Sequence, residues 1–142
     1  MTMASEAKVG ALGRCATYRG IPTDHLRTLA EMMEVELLDA GEVLFEQGET
    51  ADLQYVVVEG ELGVEVGGEQ VRTIGPGEVL GEYGMFIGFQ RTATVTAISG
   101  ATLLSLDYPR FRAFLLQFPE ATLVLMQTAV ERLIAAEQRG SS

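Results

Sequence analysis

The chain has 142 residues and carries 10 Lys+Arg against 20 Asp+Glu, a formal net charge of −10. That length suits one domain with a real core, and the acidity argues against a grip on DNA, RNA or an anionic membrane, each of which asks for clustered Lys and Arg. One cysteine (Cys15) closes no internal disulfide and one histidine (His25) builds no histidine cage, so neither a metal nor a cofactor is expected.

No apolar run approaches the ~18 residues of a membrane span. Residues 1–10 lack the basic start and apolar stretch of a secretory signal. The expected protein is cytoplasmic and does not insert into a membrane. Charge is uneven along the chain: residues 31–82 hold fourteen acids and one base, Arg72. This acidic middle reads as the solvated outer face of a sheet.

Residues from about 5 to 33 read as helical. Pro22, Thr23 and Asp24 form a start signal, and Leu26, Leu29, Ala30 and Met33 line one apolar face. From about 35 to 106 the pattern turns to short strands. Leu53–Val58 is a continuous apolar-leaning run rich in Val and Tyr, as in a strand covered on both faces, whereas Leu62, Val64 and Val66 alternate with Glu61, Gly63 and Glu65. Gly67-Gly68 predicts a hairpin turn. Helix returns over about 108–137, with Asp107 as N-cap and a break at Phe118-Pro119. Without a repeat or linker, residues 1–142 read as a single domain. Its fold class is α+β, mainly β: an antiparallel jelly-roll barrel with a glycine-rich cassette, flanked by N- and C-terminal helices.

The chemistry concentrates in residues 75–95. Gly81 and Gly84 let backbone approach a ligand closely. A short helical turn near Tyr83 directs free N–H groups outward, a setting for an anion. Arg91 adds a charge-assisted, bidentate contact to a phosphate, and Glu82 accepts from hydroxyl donors such as those of a ribose. The simplest alternative is an ordinary Glu82–Arg91 ion pair with glycines serving only turns.

Gly81-Glu82, eight residues, then Arg91-Thr92-Ala93-Thr94-Val95 resembles the phosphate-binding cassette of cyclic nucleotide-binding domains. Residues 40–49, 55–60 and 75–77 are similar to the family's flanking signatures, so the resemblance spans about 26–133. It implies that Glu82 and the Gly81 N–H hold the ribose 2′-hydroxyl. Arg91 then binds the cyclic phosphate, assisted by the amides of Gly84, Met85, Thr92 and Ala93. Thr92 stands where a hydroxyl residue contacts a guanine as well as the phosphate, which permits cGMP without deciding for it; cAMP is the favoured ligand. Tyr83, Gly84 and Leu80 depart from the family's usual leucine, alanine and phenylalanine.

In the last helix Leu123, Met126, Val130 and Leu133 repeat like a coiled-coil seam. The resemblance suggests two uses, a lid over the purine and a homodimer contact. Gln127, Thr128 and Arg132 are the candidates for reaching the base. Cys15 and His25 read as structural.

The expected function is a non-catalytic sensor of cAMP or cGMP, relayed by the C-terminal helix to a partner. That partner is an unidentified effector in trans or a covalent domain outside this chain; the natural-looking start at Met1 tilts toward a stand-alone protein. The alternatives are a ligand-free dimerisation or docking domain, and a jelly-roll enzyme. The enzyme lacks the strand histidines that class uses.

Overall fold

The apolar spacing at the start of the chain produces helices. The structure, a computed structural model, describes residues 3–140; Met1, Thr2, Ser141 and Ser142 of the expected domain lie outside the described residues. Helix α1 spans Ser5–Gly13 and α2 Thr23–Met32, separated by a 3-10 turn at Ala16–Tyr18. Pro22 occupies the N-cap of α2, and no side chain caps it. Leu26, Leu29 and Ala30 are buried, as their spacing requires.

The strands are β1 (Glu34–Leu38), β2 (Val43–Phe45), β3 (Leu53–Glu59), β4 (Leu62–Val66), β5 (Glu69–Ile74), β6 (Val79–Leu80), β7 (Thr94–Ala97) and β8 (Ala101–Asp107). They form two antiparallel four-stranded sheets, ordered β1-β8-β3-β6 and β2-β7-β4-β5. The jelly-roll reading holds, with one correction: the sheets face each other and do not close into a barrel. The short β2 and β6 leave too little pairing to join them.

Strand parity explains the two cores. On β3, Tyr55 and Val57 point between the sheets, while Val56 points toward the helices. On β8, Leu103 joins the first core and Leu104 and Leu106 the second. These strands are covered on both faces, which is why 53–58 lacks alternation. Register in the β4–β5 hairpin pairs Val66 with Glu69 across Gly67-Gly68, both at positive φ.

Asp107 ends β8 and caps α3 (Tyr108–Gln117), its carboxylate accepting from the Arg110 N–H at 2.8 Å. The chain then turns through 114° into α4, Pro119–Gly140. Phe111, Phe114 and Ala121 anchor this corner in the helical core. Among the described residues no single helix is long and apolar enough to cross a membrane.

Candidate functional site

Between β6 and β7 the chain leaves the sheets as a glycine-rich excursion, with a 3-10 turn at Gly84–Phe86. Gly81 opens it at φ +77°, a backbone state that side chains disfavour. A Cβ at Gly81 would fall on the Arg91 guanidinium and 3.2 Å from the Leu53 carbonyl. Gly84 differs, because a Cβ there would meet only Phe89 and Ala51 at ordinary separations of 3.5 and 3.6 Å. Close approach is therefore a property of Gly81 alone of this pair.

Arg91 and Glu82 are each only 8% exposed, and they do not pair with each other. Arg91 lies over the Phe45 ring at 4.1 Å and donates to the Leu53 carbonyl at 2.8 Å. Its buried Nε has no acceptor among the described residues. Burial lowers its pKa, opposed by Tyr55, Asp52 and Glu49. A buried, stacked guanidinium with an idle donor is arranged for an anion that arrives from outside.

The backbone N–H groups of Gly84, Met85, Thr92 and Ala93 likewise have no protein acceptor among the described residues. Gly81, Gly84, Arg91, Thr92 and Ala93 all line one cavity of about 330 Å³, backed by Val64, Ile74 and Val95. Met85 is buried in the helical core and lies outside the lining of that cavity.

Glu82 faces the other way around Gly81, toward α4. Arg132 Nη1 donates to its carboxylate at 2.9 Å and to the Tyr83 hydroxyl at 3.3 Å, while Nη2 donates to Thr17 Oγ1 at 3.0 Å. Burial pushes the Glu82 carboxyl up, offset in part by a backbone hydrogen bond and by Arg132. The ordinary Glu82–Arg91 ion pair is thereby replaced by a pair that ties α4 to the cassette. Arg132, Glu82 and Gly81 line a second cavity of about 510 Å³ together with Arg72.

Gln127 and Thr128 are not brought to either cavity. They line a depression with Arg19, Gly20 and Arg132, the last of which also lines the Glu82 cavity, and Thr128 bonds back to Val124 within its own helix. The seam of Leu123, Met126, Val130 and Leu133 faces outward, each residue about half exposed. Cys15 is buried, its thiol pushed up to about 11 by burial, and His25 stacks on Phe118 at 4.4 Å.

Three contributors escaped sequence reasoning. Thr17 carried no signal. Tyr83 was visible as a departure from the usual leucine, and it supplies Arg132 with a second acceptor. Arg72 stood out only as the lone base in an acidic stretch.

The family model described as the cyclic nucleotide-binding domain matches residues 35–118, more than half of the chain. The chain belongs to the cyclic nucleotide-binding domain family. The match runs from β1 to the end of α3 and includes every cassette residue named above. This cyclic nucleotide-binding domain is similar to the N-terminal domain of a transcriptional regulator from Streptomyces coelicolor, with TM-score 0.83 and 27% identity over 90% of this chain and 95% of that one. It is also similar to the regulatory domain of Toxoplasma gondii PKA solved with cAMP, with TM-score 0.70 and 27% identity over 78% of this chain and 44% of that one. An uncharacterized ABC transporter ATP-binding protein of Mycobacterium tuberculosis is 45% identical over 80 residues, 53% of this chain. The cyclic nucleotide-binding domain thus spans about a quarter of the length of that relative.

Proposed function

We propose that the protein is a non-catalytic sensor of a cyclic purine mononucleotide, which it reports by moving α4. The observation that carries this reading is the division of labour around Gly81. On one side the idle Nε of Arg91 and the free amides of Gly84, Thr92 and Ala93 belong to residues that line one cavity; on the other a buried acceptor, Glu82, is held by the helix that would move. The cAMP in the Toxoplasma gondii PKA structure supports the ligand class.

In this mechanism Arg91 and the amides take the phosphate, and Glu82 takes the ribose 2′-hydroxyl. The hydroxyl and Arg132 compete for the same carboxylate, so binding loosens the tie between α4 and the cassette. Ligand shifts the balance between docked and released α4 by the difference in its affinity for the two states. The released helix presents its outward seam to a second copy of the chain or to an effector. That effector is a protein in trans or a fused domain, as the ABC transporter relative suggests.

Calorimetry with cAMP, cGMP and linear AMP tests the ligand class. Saturable heat with a cyclic nucleotide is expected, and no heat with either one refutes the reading. Arg132→Gln tests the competition. A partly exposed pair is worth ~1 kcal/mol, so freeing Glu82 should raise affinity roughly fivefold. Unchanged or weaker binding would mean that Arg132 does not oppose the ligand. Light scattering with and without ligand reports whether the seam pairs two copies.

A further inference from the structure

A cavity of about 310 Å³ that shares no lining residue with the Arg91 cavity lies between the cassette turn, α3 and α4. Aromatic rings form much of its wall: Tyr83 and Phe86 come from the cassette and Phe111 from α3. Phe86 and Phe111 stand 5.7 Å apart with their planes tilted by 51°. Helix α4 closes the other side with Leu125, Met126 and Ala129. Phe86 and Met126, each about half exposed, form the rim.

Two buried polar side chains line the same cavity, Thr17 at 3% exposure and Glu82 at 8%. Thr17 Oγ1 accepts from Arg132 Nη2, but its own O–H donates to no acceptor among the described residues. Glu82 Oε1 accepts from Arg132 Nη1, while Oε2 accepts from no side chain among them. One guanidinium therefore holds together a hydroxyl with a donor to spare and a carboxylate with an acceptor to spare. Thr122, a further polar residue of the lining, already gives its hydroxyl to the Leu115 and Phe118 carbonyls.

We propose that this cavity binds a hydroxylated aromatic molecule of one or two fused rings, a phenol or a naphthol. Its ring packs among Tyr83, Phe86 and Phe111, and its hydroxyl donates to Glu82 while accepting from Thr17. A cavity of ~150 Å³ holds a benzene ring, so this volume admits a bicyclic one. Tilted rings suit the edge and face contacts that aromatic pairs prefer. A hydroxyl is the group that donates and accepts at once. An ammonium would leave the Thr17 donor unanswered, and a carboxylate would set a second negative charge against Glu82.

The lining comes from α4 as well as from the cassette, so the site is complete only while α4 is docked. A molecule bound there favours the docked state. On the proposed sensor reading it opposes the cyclic nucleotide through that shared equilibrium. Binding of the aromatic itself does not rest on that reading.

The test is calorimetric titration of the full chain with 2-naphthol and with 2-methoxynaphthalene, which keeps the rings and lacks the O–H donor. Saturable binding of 2-naphthol is expected, with the methoxy compound at least roughly tenfold weaker, the worth of a hydrogen bond to a charged group. Ala129→Phe fills the cavity from α4 and should abolish binding. Thr17→Val keeps the side-chain shape, removes the hydroxyl and should weaken 2-naphthol roughly fivefold. Thermal melting confirms that both variants fold. With 2-naphthol saturating, affinity for cAMP and cGMP should fall roughly tenfold.

No saturable binding of 2-naphthol, binding that survives Ala129→Phe, or equal affinity for the two naphthalenes would overturn the site. Unchanged affinity of Thr17→Val would remove Thr17 from it. Unchanged nucleotide affinity would overturn the antagonism. A chain that binds 2-naphthol and neither cyclic nucleotide would refute the sensor reading and uphold the aromatic site.

Discussion

Replacing Arg91 with alanine is expected to abolish ligand binding while leaving a folded protein. In the structure this guanidinium spends one nitrogen on the Leu53 carbonyl and keeps Nε without an acceptor among the described residues. Its remaining donors have no role in the fold that matches their burial. A charge-assisted hydrogen bond contributes ~1.5–3 kcal/mol, so losing two to a phosphate lowers affinity by at least roughly a hundredfold. Arg91→Lys should recover part of this through charge and none of the paired geometry. Calorimetry measures the loss, and melting separates it from the cost of leaving the Leu53 carbonyl without its donor. Binding within a few-fold of the unsubstituted chain would show that the phosphate goes elsewhere.

Gly81→Ala is expected to damage stability and binding together. At φ +77° an added Cβ costs about 1–2 kcal/mol in backbone strain. Here the Cβ also meets the Arg91 guanidinium and the Leu53 carbonyl. The two strands it joins would shift, and Arg91 would leave its seat on Phe45. A fall in Tm of about 5 °C or more is expected, together with loss of cyclic nucleotide binding. Gly84→Ala is the control. Its new methyl makes ordinary contacts with Phe89 and Ala51, and Tm should stay within about 2 °C. If Gly81→Ala behaved like Gly84→Ala, the strain argument would fail.

What the sequence made legible follows from how locally each feature is determined. The α2 stripe, the Asp107 cap and the Gly67-Gly68 hairpin depend on residues a few positions apart, and all three stand as expected. The cassette was readable because Gly81, Glu82 and Arg91 lie within one excursion of the chain. Contacts between distant elements were not. Arg132 reaches Glu82 across 50 positions and Thr17 across 115, and no spacing rule links such residues. It was expected beside the base, yet it holds the acceptor meant for the ribose. The same limit applies to Gln127 and Thr128: they share a depression with Arg132, Arg19 and Gly20, but only Arg132 reaches on to Glu82. Barrel closure was overestimated because strand count says nothing of how far short strands such as β6 can pair.

The stacking of Arg91 on Phe45 has a consequence for the energetics of recognition. A free arginine side chain gives up ~2 kcal/mol of rotamer entropy when it is fixed in one geometry. Here the aromatic ring and the Leu53 carbonyl have already fixed it before any nucleotide arrives. That loss belongs to folding rather than to association, and under the proposed function the guanidinium would meet a phosphate preorganised. Phe45, which belongs to the apolar core between the sheets and stacks on the cation, would on that reading set affinity without touching the ligand.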